Sequence, residues 1–199
     1  MRQLINCLAL AALLTGASAY AATVFTQCPA VGNDTNGCEL LITVTSVDAG
    51  GNATAFTVTD SSPDQGPYDG AEDTLIGVMN STTSVLNALA ISSTLDLFGF
   101  DGDGACSGAF GTIAGCAGAT DPSGYAPAGV TFTGISSDLT SGTVDFAPGI
   151  AAGGSGWFSL EEPLTASEIA PGVPEPSSVF LLGTGLFGIA ILVRRRVCQ

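Results

Sequence analysis

Asp101 and Asp103 stand two residues apart in the stretch FGFDGDGACSG. Paired carboxylates at that spacing in a glycine-rich loop open the calcium loop of an EF-hand. The fifth position here is Ala105 and the twelfth is Thr112, so the loop is not an EF-hand and further ligands must come from elsewhere. The stretch YDGAED offers Asp69, Glu72 and Asp73. The chemistry expected of Asp101, Asp103, Asp69, Glu72 and Asp73 is calcium binding through oxygen ligands, with solvated turn carboxylates as the alternative. Glu72, Asp73, Asp101 and Asp103 also contain every group a carboxylate-only glycoside hydrolase would need. Glu161 and Glu162 are adjacent, so on a strand they point to opposite faces and cannot make that pair together.

The residue types that are missing exclude more. The chain has no His, and its four basic residues are Arg2, Arg194, Arg195 and Arg196. Nothing between Arg2 and Arg194 can serve as the base of a Ser-His-Asp triad or a Ser-Lys dyad. All 18 acidic residues except Glu175 lie between Ala22 and Val173. That body repels polyanions, so a nucleic-acid partner is not expected. Trp157, Tyr68, Tyr125 and Tyr20 are the candidates for stacking on a sugar ring. Trp157 neighbours Phe158, and one of the two is expected in the core.

The elements that must position these groups read as strands. Period-two alternation or β-rich composition marks Glu39–Val47, Thr54–Thr59, Thr74–Met79, Val85–Ser92, Leu95–Phe100, Val130–Ile135, Gly142–Phe146 and Trp157–Leu160. Gly-, Pro- and Asp-rich turns separate them, and no long amphipathic helix is visible. Short strands at this density predict an all-β chain with one jelly-roll-like β-sandwich, over residues 22–172.

Cys28, Cys38, Cys106 and Cys116 lie in that body, with Cys28 and Cys38 ten residues apart and Cys106 and Cys116 ten residues apart. Three pairings are open. Cys28–Cys38 and Cys106–Cys116 are favoured, since each closes one glycine-rich loop, contributing roughly 3 kcal/mol by loop entropy. A zinc site lacks both Cys-x-x-Cys spacing and His.

Residues 1–21 combine Arg2, an apolar stretch and small residues ending Ala-Tyr-Ala, the pattern of a secretory signal peptide. Residues 173–199 form a second unit, with an expected transmembrane helix over 178–193. Its run Val179–Val193 would rise roughly 22 Å at about 1.5 Å per residue, short of a bilayer core of about 30 Å. Arg194, Arg195 and Arg196 then fall on the cytoplasmic side, leaving the acidic body on the exported face.

Pro174-Glu175-Pro176, the apolar span and the arginine cluster, in that order, resemble a PEP-CTERM sorting signal. The resemblance implies that a membrane-embedded exosortase recognises Pro174, Glu175 and Pro176 and processes the protein near them. It implies a bacterium that makes exopolysaccharide. YDGAEDTLIGVMNST, LFGFDGDGAC and GSGWFSLEEP are similar to an ectodomain that recurs on such proteins, which implies a fold and a location but no chemistry. The expectation is therefore an exported, non-catalytic protein. It is membrane-anchored before processing, then sits at the cell surface or in the extracellular matrix. The alternatives are a calcium-dependent module binding exopolysaccharide or another carbohydrate, and a carboxylate-only hydrolase.

Overall fold

The structure, a computed structural model, describes residues 22–172. The expected signal peptide and the tail 173–199, including the expected helix, lie outside the described residues. Eight strands run in chain order: β1 Leu40–Val47, β2 Ala53–Asp60, β3 Thr74–Asn80, β4 Leu86–Ser92, β5 Val130–Thr133, β6 Ser141–Ile150, β7 Ser155–Leu160 and β8 Ala170–Pro171. They form two four-stranded sheets, ordered β2-β1-β3-β7 and β5-β6-β4-β8. The chain is all-β, as its alternation predicts, and no helix among the described residues is long and apolar enough to cross a membrane.

The alternation sorts side chains as expected. In β1, Leu40, Ile42 and Val44 are buried, while Leu41 and Thr43 are only partly so. They join Ile76 and Val78 of β3, Leu89 and Ile91 of β4, Val144 and Phe146 of β6, and Phe158 of β7 in one core between the sheets. Burying such apolar area, at about 25 cal/mol per Å², is the main term holding the sheets together. Strand β3 is buried along nearly its whole length because it lies between β1, to which it runs parallel, and β7, to which it runs antiparallel.

A second, smaller core lies on the outer side of the β1–β3–β7 sheet. It holds Phe25, Val31, Tyr68, Leu75, Ala105 and Trp157, together with Cys28 and Cys38. The disulfides are Cys28–Cys38 and Cys106–Cys116, the favoured pairing. One of Trp157 and Phe158 is expected in the core; Phe158 is in the main one, and Trp157 is buried as well. The two lie on opposite faces of β7 and in different cores.

Leu95–Phe100 is a correction, since it is a run of turns rather than a strand. Its apolar content reflects burial without strand pairing. Leu97 and Phe98 are buried, the Phe98 N–H donates to the Leu139 carbonyl at 3.1 Å, and the Phe98 ring packs over Gly142. Strand β8 lacks any sequence pattern and exists through its pairing with Ile91 and Ser92 of β4.

Candidate cation site around Tyr125

Four carboxylates meet at one phenol. The Tyr125 hydroxyl lies 2.7 Å from Glu161 Oε2, 2.8 Å from Asp103 Oδ1, 3.0 Å from Asp73 Oδ1 and 3.3 Å from Asp101 Oδ1. A phenol has one proton and can donate it to one acceptor at a time. The other carboxylate oxygens therefore face an oxygen, and one another, without a donor. Glu72 adds a fifth carboxylate: single oxygens of Glu72, Asp101 and Glu161 all lie within 4.8 Å of one another.

Separate segments bring these groups together. Asp73 immediately precedes β3, and Glu161 immediately follows β7. The antiparallel register pairs Thr74 with Leu160, so their outer neighbours Asp73 and Glu161 arrive side by side. Glu162 has a positive φ of 75°, which turns the chain away directly after Glu161. Tyr125 reaches the site because its carbonyl accepts from the Ser159 N–H and hydroxyl at 2.9 and 3.1 Å, along the outer edge of β7. The Phe100 ring stacks on Tyr125 with centroids 4.5 Å apart, which sets the start of the Asp101–Asp103 loop. Gly104 is required at the loop's close approach, since a Cβ there would stand 2.6 Å from the Tyr125 ring.

Asp69 plays a different part from the one its position suggests. Its Oδ1 accepts the N–H groups of Ala71, Glu72 and Asp73, each at 3.0 Å. Partial burial pushes this carboxyl up, but those N–H donors hold it, on balance, below its ordinary range. Asp69 thus shapes the turn that presents Glu72 and Asp73. The structure joins four of the five residues expected from sequence, Glu72, Asp73, Asp101 and Asp103, and adds Glu161 and Tyr125. A legible signal for Glu161 was its place on the alternating face of β7 with Trp157 and Ser159, in a body with no basic residue between Arg2 and Arg194.

The site grades from buried to open. Asp73 is fully buried and Glu161 is 8% exposed, while Glu72, Asp101 and Asp103 face solvent. Burial raises the Asp73 carboxyl to about 7; the Tyr68 and Tyr125 phenols oppose the shift, and the charges of Asp103 and Glu161 add to it. Burial also raises Glu161, with Tyr125 opposing and Asp101, Glu72 and Asp103 adding. Asp101 is lowered and Asp103 raised, each with the other as the first cause, and the Asp103 N–H donates to Asp101 Oδ1 at 3.2 Å. Two buried polar atoms, Asp73 Oδ2 and the Tyr68 hydroxyl, have no hydrogen-bond partner. A hard cation fits this donor set, since calcium takes oxygen ligands at about 2.3–2.6 Å. Two oxygens on opposite sides of it would stand about 4.8 Å apart by the same figure.

The aromatic residues considered for sugar stacking are not available for it. Trp157, Tyr68 and Tyr125 are 9%, 1% and 0% exposed, and Tyr20 lies outside the described residues. A cleft of about 470 Å³, lined by Asp48, Thr54, Ala88, Thr143 and Pro171 among others, carries no convergent carboxylates.

A family model for the PEP-CTERM protein-sorting motif matches residues 172–196. That stretch includes Pro174-Glu175-Pro176 and the three arginines and, apart from Gly172, lies outside the described residues. No curated protein and no solved structure matches the chain. The chain carries a PEP-CTERM sorting motif on an all-β body and is an exported protein, anchored in the membrane before an exosortase processes it.

Proposed function

We propose that the body is a non-catalytic, calcium-binding module that the sorting signal delivers to the cell surface or the extracellular matrix. The observation that carries this reading is the convergence of four carboxylates on Tyr125, with Glu72 beside two of them, in a chain with no basic side chain between Arg2 and Arg194. Like charges packed this closely oppose folding unless protons or a cation neutralise them. Protonating Asp73 alone would remove one charge and leave Glu72, Asp101, Asp103 and Glu161 facing one another. Calcium supplies two positive charges and satisfies several oxygens at once. Glu72, Asp101 and Glu161 would hold it, with Asp73 and Asp103 adding negative charge through Tyr125.

The non-catalytic reading rests on where the phenol sits. A glycosidic bond must lie between two carboxyl groups for hydrolysis. Here the Tyr125 oxygen fills the space between Asp73, Asp101, Asp103 and Glu161. The exposed rim of Glu72, Asp101 and Asp103 favours a second reading, in which the outer face of the bound cation accepts hydroxyl or carboxylate oxygens of an exopolysaccharide.

The test is thermal melting of the secreted protein in millimolar calcium and in chelator. Calcium should raise the melting temperature of wild type, and Asp101→Asn combined with Asp103→Asn should remove most of that rise. Identical melting in calcium and chelator would reject the site. Chelator-sensitive cosedimentation with exopolysaccharide would support the second reading, and polysaccharide turnover would overturn the non-catalytic one.

A further inference from the structure

A separate group of buried carboxylates belongs to the Cys28–Cys38 disulfide region: Asp34 lies in the loop the bond closes and Glu39 directly follows Cys38. Asp34 is fully buried, and neither of its carboxylate oxygens has a hydrogen-bond partner. Glu39 is 4% exposed, and its Oε2 is likewise unpartnered. Gln27, next to Cys28, carries another buried oxygen, Oε1, without a donor.

Backbone geometry brings the two loops that hold these groups together. Val31 and Asp34 exchange both backbone hydrogen bonds in a tight turn. The Asn33 N–H donates to the Tyr68 carbonyl at 2.7 Å, and the Ser61 N–H donates to the Glu39 carbonyl at 2.8 Å. Gln65 closes the gap between them. Its Oε1 accepts the Asn36 N–H at 3.3 Å, and its amide nitrogen donates to the carbonyls of Gly37 and Cys38 at 3.4 Å. Asp64, adjacent to Gln65, is thereby carried to the Asp34–Glu39 pair. Its charge acts on both: burial first and Asp64 second raise Asp34, and burial, Asp34 and Asp64 raise Glu39. The charges that act on Asp73 are Asp103 and Glu161, so the two groups share no member.

We propose that Asp34, Glu39 and Asp64 form a second divalent-cation site, independent of the one at Tyr125. A single shared proton joins only two of these oxygens and leaves the others without a donor, and an unmade buried hydrogen bond is itself costly. A hard cation would give the buried carboxylate oxygens of Asp34 and Glu39 a partner, and carboxylate oxygen is the donor that calcium takes. Only Glu72, Asp101 and Glu161 among the described residues already hold three ligand oxygens within 4.8 Å. The Asp34 site should therefore be the weaker of the two, filling at higher calcium.

The test is native mass spectrometry of the secreted protein titrated with calcium alone, comparing wild type, Glu161→Gln, and Asp34→Asn combined with Glu39→Gln. Wild type should take up two calcium ions, and each variant one. Both variants replace a carboxylate by an amide of nearly the same shape. Melting in chelator checks folding independently: the Asp34/Glu39 variant should melt at least as high as wild type. If it still binds two ions, or if wild type binds one ion that only Glu161→Gln removes, the second site does not exist. One ion, lost only in the Asp34/Glu39 variant, would sustain this site and refute the one at Tyr125.

Discussion

Asp73→Asn separates a buried cation site from an ordinary cluster of acids by the sign of its effect. Asn keeps the shape of Asp and removes the charge. Asp73 is fully buried and accepts one hydrogen bond, from Tyr125 at 3.0 Å. Its carboxyl is raised from 3.8 to about 7, with burial as the largest cause. Each unit corresponds to about 1.4 kcal/mol, so ionised Asp73 costs the cation-free fold at most about 4 kcal/mol at neutral pH. Relaxation around the site would bring this nearer to 2 kcal/mol. For a body of this size, about 1 kcal/mol shifts the melting temperature by 2–4 °C. In chelator at pH 7, Asp73→Asn should therefore melt at least 4 °C above wild type by that conversion. In calcium the order should narrow or reverse. Wild type gains about 2.7 kcal/mol at a hundredfold excess over Kd, and the variant, having lost charge at the site, gains less. Trp157, the single tryptophan, is buried on β7 and reports the transition by fluorescence. The reasoning is refuted if the variant melts below wild type in chelator, or if calcium raises both equally.

Three further outcomes are expected. Asp34, Glu39 and Asp73 have folded pKa values of about 7, 8 and 7, above their unfolded values. The unfolded chain therefore ionises first as pH rises, and stability present at pH 5 is lost towards pH 8; Asp60, Asp64, Asp103 and Glu161 are the facing charges. Melting in chelator at those two pH values checks this, and saturating calcium should shrink the difference. Gly104→Ala drives a Cβ to 2.6 Å from the Tyr125 ring and should destabilise by about 1–3 kcal/mol through overpacking, read from denaturant midpoints. Changing Pro174, Glu175 and Pro176 together to Ala should leave an unprocessed, membrane-bound form retaining Arg194–Arg196. Intact mass of the membrane fraction from a host with the sorting enzyme shows it, and wild type that retains its arginines there would contradict processing.

Local chemistry settled much of this protein in advance. Period-two alternation in β1 and β2, turn residues between strands and the ten-residue cysteine spacings each involve neighbours in the chain, so they are legible in order along it. The sorting motif is legible for the same reason, as a linear signal of three consecutive parts. The Asp101–Asp103 spacing and the YDGAED stretch pointed to most of the acidic cluster. What the sequence could not supply was the pairing of distant segments. Glu161 meets Asp73 only because β3 and β7 align Thr74 with Leu160. Tyr125 becomes the centre of the site only because its carbonyl takes the outer edge of β7. Leu95–Phe100 read as a strand because apolar side chains announce burial, whereas a strand also needs a ladder of backbone bonds to a neighbouring strand, and no strand pairs with it. Asp69 and Asp73 are both aspartates in one short turn, yet one caps the backbone while the other lies buried beside four other carboxylates. Residue type and spacing determine which groups can carry charge or bind a cation. Strand register, which depends on the whole packed core, decides which of them meet.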